Sequence, residues 1–345
     1  MKFFEIIIKP LSPFGTPLKG DTIFGHVCWQ AAYDDSLLKG GLEKWVAHYA
    51  EKPFAVFSSA WPRLEDSGKF FYAVKRPDIP TSIIFKSQTA ERRKRLEELK
   101  ENKKKKWLRM KESLSLELSS ECVLGDAQLV KASSMQLTED TKKIMRMQKK
   151  RRFYAGFDQQ HNTINRLTMT TGEGMFAPFT EGSLSYYPET ELAIFALIDE
   201  DATDIDHLCT AFERIGQFGF GKDASTGLGQ FTLGDCDEVP LPFCERANAC
   251  YALAPTVPEP QKFSDVYFTP FVRFGKHGDR LAKSINPFKN PVIMADDGAV
   301  FLTNEGSVFD KPYIGRAVLN VSLSLPQAVV QGYAPYIPFR LEIDT

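Results

Sequence analysis

This sequence of 345 residues has neither a long apolar run nor a large net charge. The apolar run near its start, residues 3–8, is interrupted by Glu5 and followed by Lys9 and Pro10, whereas a transmembrane helix needs about 20 predominantly apolar residues. We therefore expect no signal peptide and no membrane span. The formal net charge is −1, so any affinity for nucleic acid must come from local basic patches.

Closely spaced cysteine pairs are missing as well. None of the six cysteines belongs to a C-x-x-C pair, and Cys28 and Cys209 fall in amphipathic segments, where a free thiol behaves as a small apolar residue. This pattern favours a reducing, cytoplasmic setting, and we expect neither a metal site nor a cofactor. With 43% hydrophobic and 25% charged residues, the composition is that of a globular protein long enough for two domains.

A dense cluster of glycines lies in residues 214–231. An amphipathic segment precedes it and an apolar run follows it, so the order predicted is helix, loop, strand. Glycine lets a ligand approach the backbone closely, and Lys222, Ser225 and Thr226 supply one cation and two hydroxyls. We therefore predict an anion-binding loop. Its glycines are Gly219, Gly221, Gly227 and Gly229.

A nucleotide-binding P-loop is the competing interpretation, because residues 216–222 satisfy G-x-x-x-x-G-K. Asp223 stands where that motif needs a Ser or Thr for magnesium, and the predicted order runs from helix to strand rather than from strand to helix. The sequence thus disfavours an ATPase. A turn that serves only the fold stays open, but contact with a nucleic-acid backbone is the better hypothesis.

The N-terminal segment predicts a strand over residues 3–9, a glycine-containing loop and then a helix beginning near Asp21. Lys19 lies just ahead of the helix, where its positive end would stabilise an anion, and His26 lies on it. We predict that Lys19 and His26 form a secondary binding surface. The alternative for His26 is a partly buried ring whose hydrogen bond goes to neighbouring backbone.

Two basic stretches lie in the middle of the chain. Residues 91–111 hold eleven Lys or Arg and four Glu, which indicates a basic helix or a mobile insertion, either a solvated face or a guide for RNA. The second stretch ends at Arg151 and Arg152 and leads into a polar segment, residues 161–176, predicted as a projecting hairpin. Its candidate RNA-binding side chains offer donors, acceptors and apolar faces to bases: His161, Asn162, Asn165, Arg166, Met175 and Phe176.

Histidine can act as a general base, and arginine can stabilise a developing negative charge. His26 or His161 with Arg166 would therefore also suit a metal-independent ribonuclease, although no spacing demands it. A protein that only connects other proteins is a third hypothesis.

The predicted order of elements favours an α+β fold. A buried strand at residues 191–199, a helix from Asp204, the glycine loop and a strand pair naturally with the N-terminal strand and helix as a ferredoxin-like sheet. A further strand is predicted over residues 55–60. A proline-rich stretch at 254–260 suggests a boundary, and strands are predicted beyond it at 266–274, 318–324 and 336–343. We predict one domain over 1–250, with a basic insertion at about 86–150 and the hairpin at about 153–187, and a smaller β-rich domain over 251–345.

Three motifs resemble one family in the same order along the chain. They are residues 20–26 (GDTIFGH), residues 161–166 with 170–174 (HNTINR and TTGEG), and residues 219–229 (GFGKDASTGLG). Together they resemble the RAMP subunit of type III-A CRISPR effector (Csm) complexes that caps the 5′ tag of the crRNA; the related type III-B subunit is a close alternative.

The resemblance implies two ferredoxin-like (RRM-like) RAMP domains, a β-hairpin thumb, no catalytic activity, and a role in antiviral defence. It implies docking to the large polymerase-like Cas subunit and to a backbone RAMP subunit, with target RNA met indirectly. On this hypothesis the glycine loop, including Gly219, Gly221, Lys222, Ser225, Thr226 and Gly227, binds sugar-phosphate. The basic and polar side chains from Arg151 to Arg166 fix the tag bases, and Met175 and Phe176 displace a nucleotide of the guide-target duplex.

Overall fold

A computed structural model describes residues 1–85, 91–146 and 152–342. Every strand pair found in these residues is antiparallel, and helices occur beside the sheets, as an α+β fold requires. The strands are β1 (Lys2–Pro10), β2 (Ala55–Asp66), β3 (Lys69–Lys75), β4 (Trp107–Lys111), β5 (Val123–Leu124), β6 (Tyr154–His161), β7 (Phe179–Tyr186), β8 (Glu191–Ile198), β9 (Phe231–Glu238), β10 (Ala249–Ala252), β11 (Asp265–Tyr267), β12 (Pro270–Arg273), β13 (Val292–Ala295), β14 (Val300–Leu302), β15 (Tyr313–Gly315) and β16 (Tyr333–Phe339). The helices are α1 (Gly20–Tyr33), α2 (Leu42–Ala47), α3 (Thr81–Ile84), α4 (Arg92–Lys104), α5 (Asp126–Gln136), α6 (Glu139–Arg146) and α7 (Ile205–Phe218).

The larger sheet has the strand order β5-β4-β3-β2-β8-β1-β9. Its part formed by β1, α1, β2, β8, α7 and β9 follows the β-α-β-β-α-β order of the ferredoxin-like motif. Helix α1 packs on β2, α7 packs on β9, and the two helices contact each other. The central strand β8 is paired on both edges, by β1 and β2, and it is buried at every position after Glu191 because its side chains pack into the main hydrophobic cluster.

The predicted basic insertion at about 86–150 contributes to this sheet. Strand β4 pairs with β3, and β5 pairs with β4. Helix α4 carries seven of the eleven Lys and Arg of residues 91–111 and has no buried side chain. Strand β2 is longer than the segment 55–60 predicted for it, because it continues through Pro62, which pairs with Leu192. Pro62 is tolerated since the ladder from β2 to β3 begins only at Arg63.

The second sheet, in the order β11-β14-β10-β16-β15, and a two-stranded ribbon of β12 and β13 form the C-terminal part. Described residues after Ala249 include no α-helix, so the second ferredoxin-like module stays a prediction, as do the domain boundaries. One strand predicted over residues 266–274 is instead divided between β11 and β12. The strand predicted at 318–324 is wrong: that segment forms a single bridge, from Val318 to Val330.

The N-terminal and C-terminal parts share a continuous core. Tyr251, Leu253 and Ile337 belong to the same buried cluster as the larger sheet. The buried Gln331 fastens the two parts: its Oε1 accepts from the Phe57 amide at 3.0 Å, and its Nε2 donates to the Phe57 carbonyl at 2.8 Å. Among the described residues, no helix is long and apolar enough to cross a membrane.

Candidate nucleic-acid interface

The glycine loop leaves α7 at Phe218 and returns to the sheet at Phe231. At Gly221 the φ angle is 79°, and a Cβ atom would lie 2.5 Å from the Thr16 Cβ. At Gly229 φ is 73°, and a Cβ would lie 2.2 Å from the Phe220 carbonyl oxygen. Both positions therefore require glycine on grounds of conformation and space.

The outer turn of the loop offers donors for an anion. The amides of Asp223, Ala224 and Ser225 have no hydrogen-bond partner among the described residues, and the Ser225 and Thr226 side chains are exposed. The Thr226 hydroxyl donates to the Asp223 carbonyl at 2.8 Å. Consecutive free amides next to a left-handed residue, here Asp223 at φ 60°, form the kind of concavity that binds phosphate.

His26 supports the loop from α1. Its Nε2 accepts a hydrogen bond from the Gly221 amide at 3.0 Å, and its ring stacks on Phe220 with centroids 4.4 Å apart. Burial lowers the pKa of His26 to about 4, so the ring is neutral at pH 7. His26 thus makes the hydrogen bond to backbone that was the alternative prediction for this residue.

Lys222 joins the loop to two other segments. Its amide donates to the Thr16 hydroxyl at 2.9 Å, and its ammonium forms an ion pair with Glu181 of strand β7. The Lys222 side chain keeps 49% of its surface exposed. The cation predicted to meet RNA is thus within reach of solvent, but it is already neutralised by a carboxylate that no local sequence signal pointed to.

The projecting hairpin is formed by β6 and β7, which pair from Tyr154 opposite Tyr186 to His161 opposite Phe179. Side chains two residues apart on a strand share a face, as do directly paired residues. Phe179 and His161 therefore lie on the face that carries Glu181. Their rings stack with centroids 5.4 Å apart, so the hairpin face that Lys222 contacts also carries an aromatic platform.

The N-terminal loop fastens this arrangement. The Pro13 carbonyl accepts from the Gly229 amide at 2.8 Å. Phe14 bonds to Leu184 of β7 through both its amide and its carbonyl, each at 2.8 Å. Residues 13–16 thus hold the glycine loop and the hairpin together, a role that no local sequence signal identified.

The end of the hairpin is a long loop, residues 162–178. Asn165 closes a turn within it, since its Oδ1 accepts from the Leu167 amide at 2.9 Å and its amide donates to Thr170 at 3.0 Å. Arg166 and Asn162 are exposed, and their side chains form no hydrogen bond or ion pair with the described residues. Met175 is 81% exposed and Phe176 is half-buried. The end is more apolar than expected, because Ile164, Leu167 and Met169 are exposed by 56%, 94% and 76%.

The remaining predicted residues are placed elsewhere. Arg152 is exposed at the base of the hairpin, and Arg151 lies outside the described residues. Lys19, only 15% exposed, forms ion pairs with Asp296 and, at 2.6 Å, with Asp297. These two carboxylates neutralise the ammonium that was predicted to attract an anion. Lys19 instead joins the start of α1 to the C-terminal part of the chain.

Chains in several solved structures share this fold. A chain of the Csm1-Csm4 cassette in complex with AMPPNP superposes with a TM-score of 0.53 at 15% identity, with 100% of both chains covered. The fold is that of a Csm-complex chain. The Csm3-Csm4 subcomplex of the type III-A CRISPR-Cas interference complex holds a second such chain, with a TM-score of 0.53, 13% identity, and coverage of 99% of this chain and 100% of that one.

A further Csm chain, from the Csm1-Csm4 cassette in complex with pppApA, matches with a TM-score of 0.52 at 15% identity over 99% of each chain. No family model and no curated protein match the sequence. The resemblance drawn from the three motifs is confirmed at the level of the Csm fold, over the whole chain rather than over the motifs alone.

Proposed function

We propose that this chain is a non-catalytic RNA-binding subunit of a type III-A CRISPR effector complex and that it holds the 5′ tag of the crRNA. One observation carries the proposal: the glycine loop and one face of the hairpin form a single surface, joined through Lys222 and Glu181. That surface combines free amides, a cation and an aromatic platform. Proteins that bind single-stranded RNA contact its phosphates with amides and cations and stack its bases on aromatic rings.

Within this surface, the amides of residues 223–225 and the ammonium of Lys222 bind a phosphate of the tag. The rings of His161 and Phe179 stack on a base, and the exposed Asn162 and Arg166 bind base edges or the next phosphate. Arg152 adds charge at the base of the hairpin, and Arg151 is proposed with it from the sequence. At the far end, Met175 and its exposed apolar neighbours displace a nucleotide of the guide-target duplex, as side-chain wedges do between stacked bases.

The proposal includes two protein partners, the large Cas subunit and a backbone RAMP subunit. Its support is the likeness to chains of a Csm1-Csm4 cassette and of a Csm3-Csm4 subcomplex. The chain would then connect the two partners in a cytoplasmic ribonucleoprotein of antiviral defence. Target RNA would meet it only through the duplex with the guide.

A catalytic role for His26 has little support, because its Nε2 already accepts the Gly221 amide. His161 stacks on Phe179 with no second acid or base in contact among the described residues. Incubation with labelled repeat RNA tests the ribonuclease alternative directly. Specific cleavage by the wild-type protein that is lost in His161→Ala would show that the chain is a ribonuclease and would refute the non-catalytic proposal.

The binding function is tested with a fluorescent RNA that carries the 5′ tag and with purified protein. Lys222→Ala with Arg166→Ala should weaken binding at moderate salt and reduce the slope of log Kd against log salt by about 0.7 for each phosphate that the protein no longer neutralises. Phe179→Ala should cost about 1–3 kcal/mol with no change in slope, because stacking is not ionic.

Lys69→Ala on β3 is the matched control, since this exposed lysine lies outside the proposed surface and outside the basic stretch 91–111. Unchanged affinity in both test variants, or an equal loss in the control, would disprove the proposed surface.

A further inference from the structure

Helix α4 carries two kinds of cation. Three of them form ion pairs with nearby glutamates, at distances of 2.6, 2.8 and 3.5 Å: Lys104, Lys94 and Arg93. The other four are exposed and form no hydrogen bond or ion pair with the described residues: Arg92, Arg95, Lys100 and Lys103. We refer to these four as the unpaired row. Their charge is available to an anion from outside the chain.

The unpaired row lies on one side of α4. With about 3.6 residues per turn, its four positions fall within about 140° of the helix circumference. The carboxylates of α4 fall on the remaining side: Glu97, Glu98 and Glu101. The ends of the row, Arg92 and Lys103, are about 16 Å apart along the helix axis. Because a nucleic-acid strand carries one phosphate for each nucleotide, a row of this length can neutralise several consecutive phosphates.

Arg76, which follows β3, holds the C-terminal end of α4. Its amide donates to the Lys106 carbonyl at 2.8 Å, and its Nη1 donates to the carbonyls of Asn102 and Lys105, both at 2.9 Å. A basic side chain that satisfies the last carbonyls of a helix stabilises that end. No side chain of α4 is buried. The helix is therefore attached to the larger sheet at its end, and the unpaired row stays open to solvent.

The same end of α4 lies at the base of the projecting hairpin. Trp107, the first residue of β4, follows the helix closely and stacks on Tyr154 with ring centroids 5.2 Å apart. Tyr154 is the first residue of the hairpin strand β6, and the exposed Arg152 shortly precedes it. The hairpin, Arg152 and α4 can therefore contact one strand of RNA in succession.

We propose that the unpaired row of α4 binds phosphates of the crRNA where this strand continues beyond the 5′ tag into the guide. The contact is ionic and independent of base sequence, because contacts to phosphates position a strand without reading its bases. The inference rests on the proposed function, since it extends the path of the RNA strand whose tag occupies the glycine loop and the hairpin.

An acidic protein surface fits the row less well than RNA does. Leu96 and Leu99 lie on the same side of α4 and are 51% and 38% exposed, so a protein would find two apolar contacts there. Lysine is depleted in protein interfaces, however, whereas cations clustered on one face of a helix are typical of surfaces that bind nucleic acid. The aliphatic stems of neighbouring lysines and arginines can cover part of two leucines. The charge of the row therefore favours RNA.

The test measures the affinity of the full chain for two fluorescent crRNA fragments, the 5′ tag alone and the tag with its guide, over a range of salt concentrations. The test variant replaces three members of the row together: Arg95→Gln, Lys100→Gln and Lys103→Gln. For the longer RNA, affinity at moderate salt should fall by on the order of tenfold or more, and the slope of log Kd against log salt should fall by about 0.7 for each lost phosphate contact. Affinity for the tag alone should stay unchanged.

The matched control replaces one arginine and two lysines of the same helix that are already ion-paired: Arg93→Gln, Lys94→Gln and Lys104→Gln. It removes the same charge as the test variant, so it separates direct contact from a change in net charge. The control should weaken binding of the longer RNA much less. Leu96→Gln with Leu99→Gln should leave the affinity for both RNAs unchanged.

Wild-type affinity of the test variant for the longer RNA, or an equal loss in the control, would overturn this inference and leave the proposed function standing. An equal loss for the tag alone would also overturn it, as would a loss seen only after target RNA is paired with the guide. Weaker binding of a protein partner by the test variant and the leucine variant, with RNA affinity unchanged, would make the row a protein surface instead. A wild-type chain that binds neither RNA would refute the proposed function and this inference with it.

Discussion

The ion pair between Lys222 and Glu181 leads to a counterintuitive prediction: Glu181→Gln should strengthen RNA binding. Glu181 lies on β7 and neutralises the ammonium that would meet a phosphate. RNA must compete with this carboxylate, and the displaced carboxylate stays close to the bound phosphate. Glutamine has nearly the same size and can still accept a hydrogen bond, so the change removes charge with little effect on packing.

Two contributions give the magnitude. The Lys222 and Glu181 side chains are 49% and 23% exposed, and ion pairs near solvent contribute about 0–1 kcal/mol. A carboxylate about 6 Å from a phosphate adds a repulsion of about 0.7 kcal/mol in water. Removing both terms amounts to about 1 kcal/mol, which corresponds to roughly fivefold tighter binding at low salt. The gain should shrink as added salt screens both terms.

The assay is fluorescence anisotropy with tag RNA at about 50 mM and about 500 mM salt. Glu117→Gln is the matched control, because this exposed carboxylate pairs at 3.1 Å with Lys111, a residue of β4 and not of the glycine loop or the hairpin. In a Lys222→Met background, Glu181→Gln should bring a smaller gain, since only the repulsion remains. Weaker RNA binding by Glu181→Gln would refute the reasoning, because it would mean that Glu181 positions Lys222 rather than competing for it.

Three further predictions concern stability, measured by urea titration. Burial lowers the pKa of His26 to about 4, so below pH about 6.5 the unfolded state binds a proton that the folded state does not. The free energy of unfolding should therefore fall by about 3 kcal/mol as the pH drops from about 6.5 to about 4. His26→Phe should lack this pH dependence. Gly221→Ala should cost about 1–3 kcal/mol, whereas Gly172→Ala, with no atom within 4 Å of its Cβ, should cost less. Lys19→Met leaves the buried Asp297 carboxylate without a cation, while Asp296 keeps its ion pair with Lys75 at 3.5 Å, and should cost about 3 kcal/mol, unlike Lys103→Met on the surface.

An unchanged pH slope in His26→Phe would remove the case for a buried neutral ring. Equal losses in the two glycine variants would mean that Gly221 is not required by conformation. Equal losses in the two lysine variants would mean that the ion pairs of Lys19 contribute nothing to stability.

Local elements could be predicted from the sequence because their signals are local. The apolar run of β8 predicted that strand within one residue of both observed ends, and the helical spacing of α7 predicted the start of that helix within one residue. The projecting hairpin was predicted over about 153–187, and its strands β6 and β7 span Tyr154–His161 and Phe179–Tyr186. In each case hydrophobic periodicity or turn residues within one segment carried the information.

Elements whose form depends on distant partners could not be predicted in this way. Strand β4 follows a highly charged helix, and it became part of the larger sheet because β3 offered an edge. The segment 318–324 has the composition of a strand but pairs at one position only. The sequence predicts Lys19 as a free cation beside the start of a helix, but Asp296 and Asp297, far away in the chain, neutralise it.

The glycine loop shows the same division. Its four glycines, its cation and its place between helix and strand were determined by the sequence alone, because conformational freedom and charge belong to residue types. Only the tertiary structure decided that His26 supports the loop, that Glu181 neutralises Lys222, and that Phe179 and His161 share their surface with it. Those relations join residues far apart in the chain, and folding of the whole sheet brings them within contact distance.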